Sequence, residues 1–329
     1  MLKPRVFVTR RIAQEALDLL QEHTELVLWP KTLAPPNHIL LHEASLSHGI
    51  LTTVEDTVDA ALIDASPSLK VISQIAVGYD NVDVAAATER GIPVGNTPGV
   101  LSKTTADLAF ALLMAVARRV VEGDRYVRQG KWLGWHPSLL AGADIHDATL
   151  GIVGLGKIGL EMARRGRGFD MNVLYNSRTR APEIEAEHGL TYVPELINLL
   201  GEADFVSLHV PLTSETRHLI GEVALAAMKP TAFLINTTRG PVVDQGALYE
   251  ALKSGVIAGA ALDVTDPEPM DVNDPLLTLE NVVVAPHIGS SSVTTRTRMA
   301  MMAAENLLAG LRGDVPTHCV NRDALGARG

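Results

Sequence analysis

At 329 residues, with 47 % apolar and 20 % charged side chains, the chain is composed like a globular protein long enough for two cores rather than one. A net charge of −10 argues against a nucleic-acid binder, which needs a concentrated basic face; the tight basic cluster Arg164-Arg165-Gly166-Arg167 falls inside a helical pattern. The single cysteine, Cys319, excludes an intrachain disulfide and a thiolate metal site and fits a reducing compartment.

Met1-Leu2-Lys3-Pro4-Arg5 leads into the strand-like run Val6-Phe7-Val8 without the apolar region of a signal peptide. Runs rich in Val and Ile at 5–9, 25–29, 49–53, 71–76 and 92–94 predict strands, with helices at 14–20, 58–65 and 82–90 between them. Such alternation predicts a parallel sheet covered on both faces. A long helix is expected over about 105–128, with Ser102 and Thr104 as candidate N-caps. Its most apolar part, 109–117, is fenced by Asp107 and Arg118 and is far short of the roughly 18 apolar residues of a membrane span. A cytoplasmic protein without membrane contact is expected.

A second series begins at Thr149, with strands at 149–153, 172–175, 205–209, 232–236, 259–263 and 282–285. Helices are predicted at 159–166, 194–200 and 246–253, and a last one at 293–311 ends before Gly313, the residue type expected at a helix C-terminus. The expectation is an α/β protein of two doubly wound parallel-sheet domains with a cleft between them. The last helix could cross back to support the first domain.

The strand 149–153 runs straight into Gly154-Leu155-Gly156-Lys157-Ile158-Gly159, a G-x-G-x-x-G pattern in strand–turn–helix context. Gly154 would permit the turn, Gly156 would let backbone approach a pyrophosphate, and Gly159 would let helix pack on strand. The helix N-terminus would then offer N–H groups and a positive dipole end to phosphates. An ordinary strand-to-helix turn is the alternative. NAD sites usually carry an acid at the end of the next strand, yet Asn176-Ser177-Arg178-Thr179-Arg180 stands there, with no acid before Glu183. Guanidinium and hydroxyl groups suit a ribose 2′-phosphate, so NADP(H) is expected over NAD(H); a solvated basic loop beside an NAD site remains open.

Three further strand ends deliver titratable groups: Arg239 in Asn236-Thr237-Thr238-Arg239-Gly240, Glu268 after Leu262-Asp263-Val264, and His287 in Pro286-His287-Ile288-Gly289. Ligands of open α/β sheets bind outside the carboxyl ends of the strands, so these groups could converge beside a nicotinamide. Reducing a 2-keto acid needs a hydride, a proton for the carbonyl oxygen and a clamp for the carboxylate, which an acidic protein must supply locally. His287 suits the proton, Glu268 the orientation of the imidazole, and Arg239 a two-pronged grip on the carboxylate. Taken singly, each has a bland reading: one of eleven histidines, a loop arginine, a turn glutamate between prolines. No histidine pair has metal-ligand spacing, so no metal is expected, and no Gly-x-Ser-x-Gly elbow is present.

In content and order, these motifs resemble the D-2-hydroxyacid dehydrogenase family over nearly the whole chain. Asp263-Val264-Thr265-Asp266-Pro267-Glu268-Pro269 and 306–313 are most similar to its glyoxylate/hydroxypyruvate reductases. The resemblance implies a Rossmann cofactor domain at 102–289 and a discontinuous, flavodoxin-like substrate domain at 1–101 and 290–329. It implies reduction of a small 2-keto acid such as glyoxylate or hydroxypyruvate to the 2-hydroxy acid. Arg239, Glu268 and His287 become catalytic, and Val77, Gly78 and Leu101 join Arg239 and His287 at the substrate. Cofactor contacts fall on Thr105, Gly154, Leu155, Gly156, Lys157, Ile158, Gly159, Ser177, Arg178 and Thr179. Further ones fall on Val210, Pro211, Thr216, Thr237, Thr238, Arg239, Asp263, His287 and Gly289. A homodimer is implied, with Trp132-Leu133-Gly134-Trp135 resembling an arm that reaches across. Rival readings are a phosphoglycerate or D-lactate type of dehydrogenase and, from another class, a dinucleotide-sensing corepressor-like protein. Formate dehydrogenases resemble this layout but carry glutamine where Glu268 stands.

Overall fold

The computed structural model describes residues 3–326; Met1, Leu2 and 327–329 lie outside the described residues. Residues up to Leu101 together with those from Ser291 form one compact unit, and Ser102–Ser290 form the other.

The first unit opens with β1 (Arg5–Val8), α1 (Gln14–His23), β2 (Glu25–Leu28), α2 (Asn37–Ser45), β3 (Gly49–Thr52), α3 (Ala60–Asp64), β4 (Val71–Gln74), α4 (Val84–Glu89) and β5 (Val94–Gly95). Its parallel sheet has the order β2-β1-β3-β4-β5, the flavodoxin-like arrangement. β3 and β4 are buried at every position, and the polar Thr52, Ser73 and Gln74 at their ends are satisfied there by hydrogen bonds between Thr52 and Gln74 and from Ser73 to the Ala303 carbonyl. Asp59 and Asp83 start α3 and α4 by accepting the backbone N–H of Leu62 and Ala86. α2 was not anticipated, because only Leu40 and Ala44 of its nine residues are buried and a single i, i+4 pair makes a faint stripe.

The second unit runs α5 (Ser102–Ala117), α6 (Val120–Arg128), β6 (Thr149–Val153), α7 (Lys157–Gly168), β7 (Asn172–Asn176), α8 (Pro182–His188), β8 (Leu190–Tyr192) and α9 (Leu196–Glu202). There follow β9 (Phe205–Leu208), α10 (Glu222–Ala227), β10 (Phe233–Asn236), α11 (Gln245–Ser254), β11 (Gly259–Leu262) and β12 (Val282–Val284). The order β12-β11-β10-β9-β6-β7-β8, all parallel, is the Rossmann arrangement with one added strand, and it reverses direction between β6 and β9. One core holds Leu150, Ile152, Met162, Tyr175 and Phe205 beneath α5 and α7. The opposite core gathers Leu199, Leu208, Leu234 and Leu248 beneath α9, α10 and α11.

The single helix expected over 105–128 is two helices. Arg119 sits in the left-handed region at φ +52°, and the Ala117 carbonyl accepts the N–H of Ala143 instead of continuing the ladder. A Cβ on Gly142 would lie 2.2 Å from that carbonyl oxygen, so only glycine allows the approach. The apolar stripe ends at the same place: α5 buries nine residues and α6 none.

The chain returns to the first unit through α12 (Val293–Arg312) and α13 (Arg322–Gly326). Ser292 caps α12, and Gly313 closes it at φ +89°. α12 packs on α1, β3 and β4; a Cβ on Gly310 would meet Val71 at 2.5 Å, so the missing side chain sets how closely helix and sheet approach. No helix of the described residues is long and apolar enough to cross a membrane.

Candidate active site

The glycine loop leaves β6 and enters α7, and its three glycines answer to different constraints. Gly154 has φ +97°, and a Cβ there would collide with the His209 backbone at 2.8 Å. Gly159 is tighter still, its absent Cβ lying 2.2 Å from the Gly154 carbonyl oxygen. Gly156 is different: a Cβ would meet nothing of the protein within 4 Å. Packing therefore demands the outer two glycines, while the middle one leaves open space at the N-terminus of α7, where a helix favours an anion. Leu155 and Ile158 pack into the core beneath α5, so a ligand would use their backbone, and Lys157 opens the helix. Two of the three buried side-chain polar atoms without a partner among the described residues lie in this unit, Nδ1 of His209 and Oγ1 of Thr237. They follow β9 and β10, neighbouring strands, at the carboxyl edge of the sheet. Open space at Gly156 and these orphaned groups fit a polar dinucleotide. Burial pushes the His209 imidazole down to about 3, so it is neutral there, its Nε2 sharing a hydrogen bond with Ser207.

At the end of β7 the chain is strapped. The Asn176 amide donates to the carbonyls of Val193 and Pro194, and Tyr192 donates to the Ser177 carbonyl. Arg180 does not offer its charge as the sequence suggested. It forms a two-pronged pair with Glu185 at 2.8 and 2.9 Å and lies over the Tyr192 ring, while the buried Tyr175 hydroxyl donates to the same carboxylate. The field of Arg178 reaches Glu215 on the loop after β9, where hydrogen bonds from Thr213 and the loop itself already hold the carboxyl below its usual range. On that loop the Thr216 hydroxyl donates to the Pro211 carbonyl at 2.6 Å and accepts the Thr213 N–H, and Val210 leans on the neighbouring core.

Beyond β10, β11 and β12 the titratable residues meet. His287 Nδ1 lies 2.5 Å from Glu268 Oε1, with the side chains 30 % and 33 % exposed. Burial alone would raise the Glu268 carboxyl, but the hydrogen bond and charge of His287, the Thr265 N–H and Arg239 together hold it below its ordinary value. His287 adopts φ +53°, a left-handed conformation costing about 1–2 kcal/mol for a residue with a Cβ. Asp263 holds it there. Its carbonyl accepts the His287 N–H, and its carboxylate, 1 % exposed, accepts the N–H groups of Ile288 and Gly289 at 2.8 and 2.7 Å. Burial raises the Asp263 carboxyl despite those two donors. Thr105 of α5 completes this corner: a Cβ on Gly289 would be 3.3 Å from its methyl.

Arg239 is delivered by a turn that Asn236 organises. The Asn236 side chain accepts from the Thr238 N–H and hydroxyl and donates to the Arg239 carbonyl, and it is 1 % exposed. A Cβ on Gly240 would lie 1.9 Å from the Thr265 carbonyl oxygen, so the Arg239 turn and the segment leading to Glu268 touch backbone to backbone. Gln245 braces that segment, accepting the Asp266 N–H and donating to Asp274. The sequence reading quoted Asn236 in its motif without giving it a role and passed over Gln245; for Asn236 the available signal was a polar residue closing the apolar run of β10. In the first unit, Val77 and Gly78 follow β4 in a half-buried loop, and Leu101 is 7 % exposed at the end of that unit's first segment. Elsewhere in the second unit a cavity of about 550 Å³ opens beside Arg119, Glu122 and Glu280, at the amino ends of β10 and β12. None of Arg239, Glu268 and His287 lines it, and ligands of such sheets bind at the other end. No group of three His, Cys, Asp or Glu able to hold a metal ion occurs among the described residues.

Residues 110–289 match the family model "D-isomer specific 2-hydroxyacid dehydrogenase, NAD binding domain". A glyoxylate reductase of Korarchaeum cryptofilum is 55 % identical over 328 residues, covering 99 % of this chain and 98 % of the relative. One from Thermococcus litoralis is 52 % identical over 98 % of each. Among solved structures, a Thermus thermophilus protein is 50 % identical with a TM-score of 0.90, covering 96 % of this chain and 99 % of that one. An NADPH-dependent glyoxylate/hydroxypyruvate reductase of Sinorhizobium meliloti, solved with NADP and malonate, is 35 % identical with a TM-score of 0.86, over 97 % of both chains. The chain belongs to the D-isomer specific 2-hydroxyacid dehydrogenase family and is an oxidoreductase that uses a nicotinamide dinucleotide.

Proposed function

We propose that this protein reduces small 2-keto acids, glyoxylate and hydroxypyruvate first, to glycolate and D-glycerate. The observation that carries the reading is the 2.5 Å His287–Glu268 pair, held by Asp263 beside the turn that delivers Arg239. When bound, the dihydronicotinamide supplies a hydride to the carbonyl carbon. With Nδ1 committed to Glu268, the Nε2 of His287 gives its proton to the carbonyl oxygen, and the ionised Glu268 stabilises the imidazolium beforehand. Arg239 grips the substrate carboxylate and sets the carbonyl in line. Following the resemblance, the Val77 and Gly78 amides are assigned to a substrate carboxylate and Leu101 to the small substituent. The test is turnover of glyoxylate, hydroxypyruvate and phenylpyruvate, followed by the absorbance of the reduced cofactor; a preference for the bulky aromatic acid would overturn it.

The cofactor would be held by the Gly154–Gly159 loop, with Val210, Thr216, Thr237, Thr238 and Thr105 along its length. We assign the preference to NADP(H). No carboxylate stands at the end of β7, and Ser177, Arg178 and Thr179 offer donors to a ribose phosphate. Because Arg180 is paired with Glu185, the charge falls to Arg178. A hydrogen bond to a charged group contributes roughly 1.5–3 kcal/mol, or one to two decades in affinity, and exposure favours the low end. Ser177→Asp and Arg178→Ala should each move the ratio of kcat/KM values toward NADH; an unmoved ratio in both would return the loop to solvated surface.

We also propose a homodimer through the second unit. α6 buries no residue, and Val120, Val127, Trp132, Leu133 and Trp135 are all more than half exposed, an apolar patch unusual for a monomer. Sedimentation should give twice the chain mass, and Leu133→Asp with Trp135→Asp should give the monomer.

A further inference from the structure

The loop after β4 presents a row of backbone donors, and its arrangement shows what aims them. Three successive carbonyls are pinned: that of Ala76 accepts the Thr97 N–H at 2.8 Å, that of Val77 accepts Nδ2 of Asn96 at 2.9 Å, and that of Gly78 accepts Nε2 of Gln74 at 3.1 Å. The peptide bonds here are trans, since the cis bonds of the chain lie at Asp266-Pro267 and Glu268-Pro269. In a trans peptide the carbonyl and the following N–H point in opposite directions. Fixing the carbonyl of Val77 therefore aims the N–H of Gly78 away from Asn96, and fixing that of Gly78 aims the N–H of Tyr79 away from Gln74. Among the described residues, none of the N–H groups of Val77, Gly78 and Tyr79 meets an acceptor. Donors left unspent in a partly buried loop, each turned from a pinned carbonyl, are available to an anion.

The two amide side chains are themselves locked. Gln74 is fully buried; its Oε1 accepts from Thr52 and its Nε2 also donates to Asn81. Asn96 is 9 % exposed, with its own N–H given to the His318 carbonyl and its carbonyl accepting Nδ2 of Asn306 on α12. The segment that returns to this unit thus holds Asn96, and Asn96 holds the loop. Neither amide needs to touch a substrate to act.

We infer that Gln74 and Asn96 are positioning residues for carboxylate recognition: they set the direction of the Gly78 and Tyr79 amides, making Tyr79 N–H a third donor beside those of Val77 and Gly78. This rests on the proposed assignment of the loop to the substrate carboxylate. The experiment compares kcat/KM for glyoxylate with that for methylglyoxal, a neutral carbonyl without the carboxylate, in Asn96→Ala, Gln74→Met and Gly78→Pro. Reduced-cofactor binding and the thermal midpoint are measured alongside to establish that each variant is folded, and Gln74→Glu replaces Gln74→Met if the latter is not. The expected result is a glyoxylate-to-methylglyoxal ratio about tenfold lower in each amide variant, equivalent to about 1.4 kcal/mol, with cofactor binding unchanged. Equal losses on both substrates would mean the amides only support the fold, and the inference falls. A ratio that drops in Gly78→Pro alone would leave the loop at the carboxylate and remove Gln74 and Asn96 from its control. A ratio unchanged in Gly78→Pro, which deletes that donor outright, would take the loop away from the carboxylate and this inference with it.

Discussion

Gly240→Ala is a small change with a large expected effect. The new Cβ would lie 1.9 Å from the Thr265 carbonyl oxygen and 2.1 Å from its carbon, where real Cβ contacts are essentially never closer than 3.0 Å. Both atoms are backbone, so no side chain can swing aside, and the Arg239 turn must part from the Thr265 segment by about 1 Å. Thr265 N–H reaches Glu268, and Glu268 reaches His287, so the displacement pulls Arg239 away from the imidazole pair. A misplacement of about 1 Å can slow catalysis on the order of 10²-fold, and overpacking of this kind costs about 1–3 kcal/mol of stability. The assay is kcat/KM for glyoxylate at saturating cofactor, with the thermal midpoint measured in parallel. Gly168→Ala is the control, because its Cβ meets nothing within 4 Å. Activity within threefold of the parent in Gly240→Ala would refute the claim that these two strand-end segments are held in register by backbone contact.

Glu268→Gln should slow reduction, because a neutral amide no longer sets a negative charge against the imidazolium; turnover within threefold of the parent would remove Glu268 from this role. In the parent, the depressed carboxyl contributes stability above its unfolded value, which is lost as pH falls through the folded one. His209 acts in the same direction for a different reason: neutral in the fold down to about 3, against 6.5 in the unfolded chain, it lets the unfolded state bind the extra proton within that window. Urea unfolding should therefore show stability falling as pH drops from about 6.5 toward 3, and His209→Gln should flatten part of that slope; parallel slopes would mean that the imidazole is solvated.

The sequence disclosed the strands of both sheets except β8, and the segments bearing Arg239, Glu268 and His287, because most buried parallel strands are dense in apolar residues and the sites lie where such strands stop. It also disclosed Gly154 and Gly159, whose spacing encodes a close approach of helix to strand. It hid what depends on a single contact far along the chain. The break after Ala117 comes from a carbonyl taken by Ala143, and nothing local in 105–128 announces it. Arg180 carried the same charge in the sequence as Arg178, and only the fold shows Glu185 already paired with it. Asp263 read as a cofactor contact, and its part in holding the N–H groups after His287 shows only in the fold. Short elements such as β8 and α10 bury too few residues to leave a periodic trace.

In the proposed mechanism His287 protonates the carbonyl of a small 2-keto acid during hydride transfer. This step is tested most directly by mixing the enzyme, preloaded with reduced cofactor, with glyoxylate in a single turnover and comparing His287→Ala with the parent. The expected hydride-transfer rate is lower by about 10² to 10⁴, with cofactor binding unchanged and glycolate formed in proportion to cofactor oxidised. A rate within tenfold of the parent would place the proton donor elsewhere.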